Sequence, residues 1–284
     1  MARTELHGLL YIALSGLCFV AMSAVIKLIG AALPESEILF FRAAVPALIY
    51  ACLFASCREA IARMVFSSKM FVRSLLGFLN FLVYTLCLTR LPLSEVSAIF
   101  YTTPVWSFCL GRIVLHEQPN AALSCGLALG LAGMLCVVKP SIAVLTPWLA
   151  IAFLGAGLGS VAILCVRQLA VLEAPERISM AFMVWSALFA MPPAIYHWTR
   201  PTREQIQMLL LVGVFAALAQ LLLAKGYANT RLVSGASLDF VRLPASVVVG
   251  IVIFNERHDH WTVIGLILVF IGFAFSLASS RRAS

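Results

Sequence analysis

The sequence predicts an all-α polytopic membrane protein of ten transmembrane helices, arranged as two inverted five-helix repeats. Three observations carry that expectation. The 284-residue chain is 62% hydrophobic and 11% charged, with a mean hydropathy of +1.02, where a soluble domain carries about 25% charged residues. Lipid must therefore solvate its apolar surface. The apolar residues fall into ten runs close to the length of about 20 residues that a helix needs to cross the hydrocarbon core. Finally, the second half of the chain repeats landmarks of the first.

The spans are expected at about 8–29, 36–56, 70–89, 94–115, 121–139, 147–167, 178–197, 206–226, 233–254 and 261–279. The first outlasts the ~7–15 apolar residues of a signal-peptide core and reads as a retained helix. Most connectors are short and carry turn and breaker residues. LPESE follows span 1, TRLPLS span 3, HEQPN span 4, KPS span 5 and EAPER span 6. TRPTRE, NTRL and NERHDH follow spans 7, 8 and 9. No connector has room for a soluble domain.

Basic residues collect in cytoplasmic loops, and this orients the chain. With the N-terminus inside, twelve of the 20 Lys and Arg fall on the cytoplasmic side and six outside, while Arg42 and Arg242 lie within spans. Both termini are therefore expected in the cytoplasm, most simply of a bacterial inner membrane. The formal net charge of +8 expresses this bias. No basic run with interleaved aromatics points to nucleic acid. The eight cysteines form no CxxC pair, so they read as small packing residues rather than zinc ligands or a disulfide framework. The five histidines lie near helix ends without an HExxH pairing and read as interfacial.

The repeat is visible in register. At an offset of 140, Ser94 meets Ser234, Ser97 meets Ser237, Phe100 meets Phe240 and Pro104 meets Pro244. After a one-residue slip, Gly111 meets Gly250, Glu117 meets Glu256, Gly126 meets Gly265 and Gly133 meets Gly272. At the offset of 140, Lys27 also meets Arg167, and Asn80 meets Gln220. Two units are therefore expected, residues 1–140 and 141–284. Each has an odd number of spans, so the second must lie inverted, as in many secondary transporters.

The series Pro104, Gly111, Glu117, Gly126, Gly133 and its counterpart Pro244, Gly250, Glu256, Gly265, Gly272 resemble the EamA repeat of the drug/metabolite transporter superfamily. The stretch FFRAAVPAL, with Arg42, resembles the second helix of that repeat, although Phe182 stands where Arg42 would recur. The resemblance implies ten helices, a cavity between the halves and movement of small organic metabolites.

Polar groups inside the spans mark the candidate site. The stretch ASLDFVRLPAS places Asp239 and Arg242 at i, i+3 on one helix face, where they can pair. Each charge in mid-span costs about 2.5–3.5 kcal/mol on insertion scales. Pro244 lacks an amide hydrogen and frees the Phe240 carbonyl. That face either lines a wet cavity or ties the helix to its neighbours. Span 4 repeats the geometry without charge, with Tyr101, Thr102 and Thr103 before Pro104. Span 3 carries Asn80 and Tyr84 at i, i+4, and span 8 carries Gln220. These eight residues are the expected substrate contacts, with helix-to-helix bonding as the alternative.

Arg42, Pro104, Glu117, Pro244 and Glu256 are expected to be structural or to act at a gate. Arg42 would snorkel outward or pair with Glu37. Glu117 and Glu256 could cap a neighbouring helix, and the glycines of spans 5 and 10 would permit close packing. No cofactor or metal is expected. The partners are a small-molecule solute and the lipid bilayer, and oligomeric state is not written in the sequence. The chain shows neither a phosphate-binding motif nor a clustered catalytic constellation. That favours a secondary transporter over a membrane-embedded enzyme or a channel-like facilitator.

Overall fold

Lipid offers no hydrogen-bond partners, so a spanning backbone must satisfy itself as helix. The computed structural model describes residues 2–29, 32–53, 67–88, 99–138, 147–255 and 260–282, and among them the only extended regular structure is helical. The helices are α1 Ala2–Ile29, α2 Glu35–Leu53, α3 Ser68–Leu88, α4 Thr103–Val114, α5 Ala121–Val138 and α6 Pro147–Leu169. They continue as α7 Pro175–Tyr196, α8 Arg203–Asn229, α9 Leu232–Leu238, α10 Arg242–Phe254 and α11 His260–Arg282. A 3₁₀ turn over Asp239–Val241 joins α9 to α10. Seven stretches are long and apolar enough to cross a membrane, counting Leu232–Phe254 as one, and two shorter apolar helices lie at Ala121–Val137 and His260–Ser276. The chain is a multi-pass integral membrane protein.

Local chemistry sets the helix ends. Pro147 opens α6 and Pro175 opens α7, where a missing amide hydrogen costs nothing. Thr202 caps α8 in a reciprocal box: its hydroxyl accepts the Gln205 N–H, and Gln205 Oε1 accepts the Thr202 N–H at 2.8 Å. After α4 and α10 the chain turns through left-handed residues, His116 at φ 51° and Asn255 at φ 52°. They are register mates, and each directly precedes a repeat glutamate.

Span 4 differs from the continuous helix expected at 94–115. Residues 99 and 100 are helical, Tyr101 and Thr102 form a turn, and α4 starts afresh at Thr103. Pro104 sits near the amino end of the new helix, because it cannot continue the old one. Residues 94–98 lie outside the described part.

The helices pair across the chain. α1 lies along α8, α3 along α6, α2 along α7 and α5 along α11, while α4 meets α9. The α5–α11 crossing is a backbone contact. A Cβ on Gly133 would stand 2.5 Å from the Gly265 carbonyl oxygen, and one on Gly265 equally close to that of Gly133. Gly126 and Gly272 oppose each other likewise, at 2.8 and 2.7 Å. These are the expected glycines in their expected role. Large apolar side chains such as Leu48, Ile113, Leu154 and Val252 point outward and are exposed, as lipid-facing residues should be.

Candidate functional site

The interruption in span 9 is a short tight turn flanked by charges. The Arg242 amide hydrogen lies on the Asp239 and Phe240 carbonyls. It thus serves the oxygen that Pro244 leaves without its helical donor. Arg242 Nη2 meets Asp239 Oδ1 at 2.7 Å, so the i, i+3 pair expected from the sequence forms. The guanidinium also lies 4.8 Å from the ring centroid of Phe19 on α1. Its side chain runs over Gly16, where an added Cβ would stand 2.9 Å from Arg242 Cγ.

The matching turn in span 4 comes to the same place. Tyr101 packs against the core around Phe240 and Leu243 and stands within electrostatic range of Ser246, Asp239 and Arg242. Tyr84 on α3 lies within such range of Tyr101 and meets Phe100 edge to face at 4.9 Å. Tyr101 therefore stands near the Asp239–Arg242 pair, with Tyr84 beside it. Thr102 and Thr103 shape the turn: Thr102 Oγ1 donates to the Ile99 carbonyl at 2.5 Å, and the Thr103 carbonyl accepts from Ser160 Oγ at 3.0 Å.

Asn80 and Gln220 stand elsewhere. Asn80 Nδ2 donates to the Gly155 carbonyl of α6 at 2.8 Å, and a Cβ on Gly159 would lie 2.6 Å from it. At the register-related α1–α8 crossing, Ser15 Oγ donates to the Ala219 carbonyl at 2.8 Å. Gln220 is buried on α8, where its Oε1 accepts from Arg73 Nη2 at 3.2 Å.

Arg73 is the residue that the sequence reading missed. Counted there on the cytoplasmic side although it falls within the span expected at 70–89, it is 4% exposed on α3, with its guanidinium 3.8 Å from the centroid of Phe182. The spacing held the signal: Arg73, Gly77, Asn80 and Tyr84 recur at helical intervals on one face. Arg42 also departs from expectation. It neither snorkels nor pairs with Glu37, but is 3% exposed and stacks 3.4 Å over the Phe81 ring. Glu37 instead takes the backbone N–H and the hydroxyl of Thr199 through Oε1.

Glu117 caps a neighbouring helix. Its two oxygens accept the Leu232 and Val233 N–H groups at 3.0 and 2.9 Å, and Arg167 lies 4.0 Å away. A carboxylate there offsets the partial positive charge of a helix start. Glu256 lies outside the described residues. Among the described residues no three His, Cys, Asp or Glu side chains gather to hold a metal ion.

The comparisons with known proteins agree with this architecture. Residues 6–139 match the model of the EamA-like transporter family. The pseudopaline exporter of Pseudomonas aeruginosa is 25% identical over 264 residues, covering 92% of this chain and 93% of its own. The S-adenosylmethionine uptake transporter of Rickettsia conorii is 23% identical over 289 residues, covering 99% and 96%. A solved crystal structure superposes with a TM-score of 0.80 at 16% identity, over 100% of this chain and 99% of that one, a likeness of fold. The chain thus resembles EamA-like transporters over residues 6–139, and proteins named as transporters align with it over nearly its whole length.

Proposed function

We propose that the chain is a secondary transporter that carries a small organic metabolite by alternating access. Its two halves, residues 1–140 and 141–284, are an inverted pair that rock about a site near the midplane. One observation carries this reading above the others: the helix pairing keeps its pattern when each span is exchanged for the one five later. α1 on α8 becomes α6 on α3, while spans 2 with 7, 4 with 9, and 5 with 10 map onto themselves. The twin turns before Pro104 and Pro244, and the twin left-handed residues His116 and Asn255, obey the same exchange.

In this reading Asp239, Arg242, Tyr101 and Tyr84 contact the solute, and Thr102 and Thr103 hold the turn that presents Tyr101. Asn80 and Gln220 bound the site as helix-to-helix contacts, and Pro104 and Pro244 fix the two breaks. Glu117, and Glu256 by register, belong to the ends that move. Both termini are cytoplasmic and the membrane is a bacterial inner membrane. The relatives include one named for export and one for uptake, so the fold serves either direction.

The test is counterflow in proteoliposomes with a panel of labelled metabolites. At least one solute should show saturable uptake that is accelerated by the same solute inside. Arg242→Ala and Tyr101→Ala should lower that flux at least tenfold while the protein still inserts. Flux without counterflow would mean a channel, and chemical conversion of the solute would mean an enzyme.

A further inference from the structure

We propose that the transported solute is an organic anion whose carboxylate or phosphate group is bound by Arg42 and Arg73; this rests on the transport reading above. The two arginines are 3% and 4% exposed, and no carboxylate pairs with either among the described residues. The acids that lie in or near the bundle are engaged elsewhere. Asp239 holds Arg242, Glu117 caps α9, and Glu176 meets Lys225 at 3.1 Å. Glu37 is on the same helix as Arg42; its Oε1 is held by Thr199, while its Oε2 is buried without a hydrogen-bond partner among the described residues and pairs with neither arginine. Five positions of helix also turn the two side chains to well-separated faces.

Donor geometry points to the ligand class. Arg42 stacks one face on Phe81, and its Nε and Nη2 have no hydrogen-bond partner among the described residues. Those two N–H groups form the side-on edge of a guanidinium, two parallel donors matched to two oxygens of one acid group. Arg73 stacks on Phe182 and gives Nη2 to Gln220, leaving Nε and Nη1 without a partner among the described residues. A buried cation with unused donors is costly to maintain, and two that repel each other are costlier. An anion that visits them offsets that cost. The aromatic rings against the guanidinium faces suit an acid with an organic body.

The two stations lie at different depths. Arg42 stacks on Phe81, whereas Arg73 Nη1 reaches Gly77, 3.4 Å from where a Cβ there would stand, and Gly77 is four residues before Phe81 on α3, or ~6 Å along the helix axis. The two cations thus stand about one helical turn apart, and an acid group can pass from one to the other as the halves rock.

The test uses the full-length protein in detergent micelles and follows its melting temperature. The probes are benzoate, L-glutamate, phenyl phosphate and inorganic phosphate, with benzamide and L-glutamine as neutral matches. At least one acid should stabilise the protein saturably while its neutral match does not. The carboxylate and phosphate arms tell the two acid groups apart. Arg42→Met and Arg73→Met should each weaken the apparent affinity at least tenfold, with Arg42→Lys intermediate. Without ligand, both Met variants should melt no lower than wild type, since each removes an unpaired buried charge. The proposal is overturned if no acid stabilises the protein, if the neutral matches act equally, or if the Met variants bind normally. It is also overturned if they melt lower or fail to fold, because the arginines are then structural. Counterflow separates the two readings. Saturable counterflow of only neutral or cationic solutes removes the anion and keeps the transporter. Arginine-dependent acid binding without any counterflow does the reverse.

Discussion

Asp239 and Arg242 show what a charge requires in a membrane. Their side chains are 11% and 24% exposed, and their 2.7 Å contact neutralises both. Breaking such a pair strands the survivor, at a cost of about 3–5 kcal/mol, while replacing both members with apolar groups is often neutral. We therefore expect Asp239→Asn and Arg242→Met to lower stability singly. The double variant should be more stable than either. A double-mutant cycle read by thermal unfolding in detergent checks this. Strict additivity of the two losses would show that the pair is not energetically coupled. The cycle also separates structure from recognition. If the double variant is stable yet fails in counterflow, the pair serves the solute rather than the fold.

At the scale of helices, the α5–α11 crossing depends on what its glycines lack. Gly133 and Gly265 each face the other's carbonyl oxygen at a distance that no Cβ tolerates, and both neighbours are backbone, which cannot swing aside. Gly133→Ala should cost about 1–3 kcal/mol, as overpacking does. Gly157 on α6 is the internal control, since an added Cβ there meets nothing within 4 Å. Gly157→Ala should be neutral or gain up to about 1 kcal/mol, the ordinary helix preference for alanine. Thermal unfolding of both variants tests the pair of expectations. A Gly133→Ala protein as stable as wild type would mean the crossing can open. The glycines were legible because they recur in register and their chemistry is local. The span 4 turn was half legible: Pro104 marked the break, but not the fresh helix start at Thr103. Arg73 was not placed from sequence, because charge counting assigns a basic residue near a helix end to the cytoplasmic side. Its burial depends on Phe182 and Gln220, more than a hundred residues away. The Glu37–Thr199 tie, spanning 162 positions, was unreadable for the same reason.

Across the whole molecule, polar ties join ends that the charge bias puts on one side of the membrane. At the expected cytoplasmic ends, Glu5 meets Arg231 at 3.5 Å and Ser234 at 3.0 Å, and the Thr230 hydroxyl donates to the Glu5 carbonyl. The Glu117 cap on α9 lies at the same level and also links the first half to the second. At the opposite ends, Glu37 of the first half holds Thr199 of the second. If the halves rock, ties on one side must release while those on the other hold, so they set the balance between the two open states. The Glu5–Arg231 contact is partly exposed, with side chains 18% and 33% accessible, and such pairs contribute about 0–1 kcal/mol. A change of 1 kcal/mol alters a two-state population by about fivefold. We expect Glu5→Gln to shift the balance by up to about that factor toward the cytoplasm-open state. In oriented proteoliposomes, apparent affinity for solute on the cytoplasmic side should rise, while that on the other side falls. Raising salt on wild type should move both values in the same directions, because exposed charges are screened. If Glu5→Gln leaves both affinities unchanged but lowers stability, the tie holds the fold and takes no part in gating.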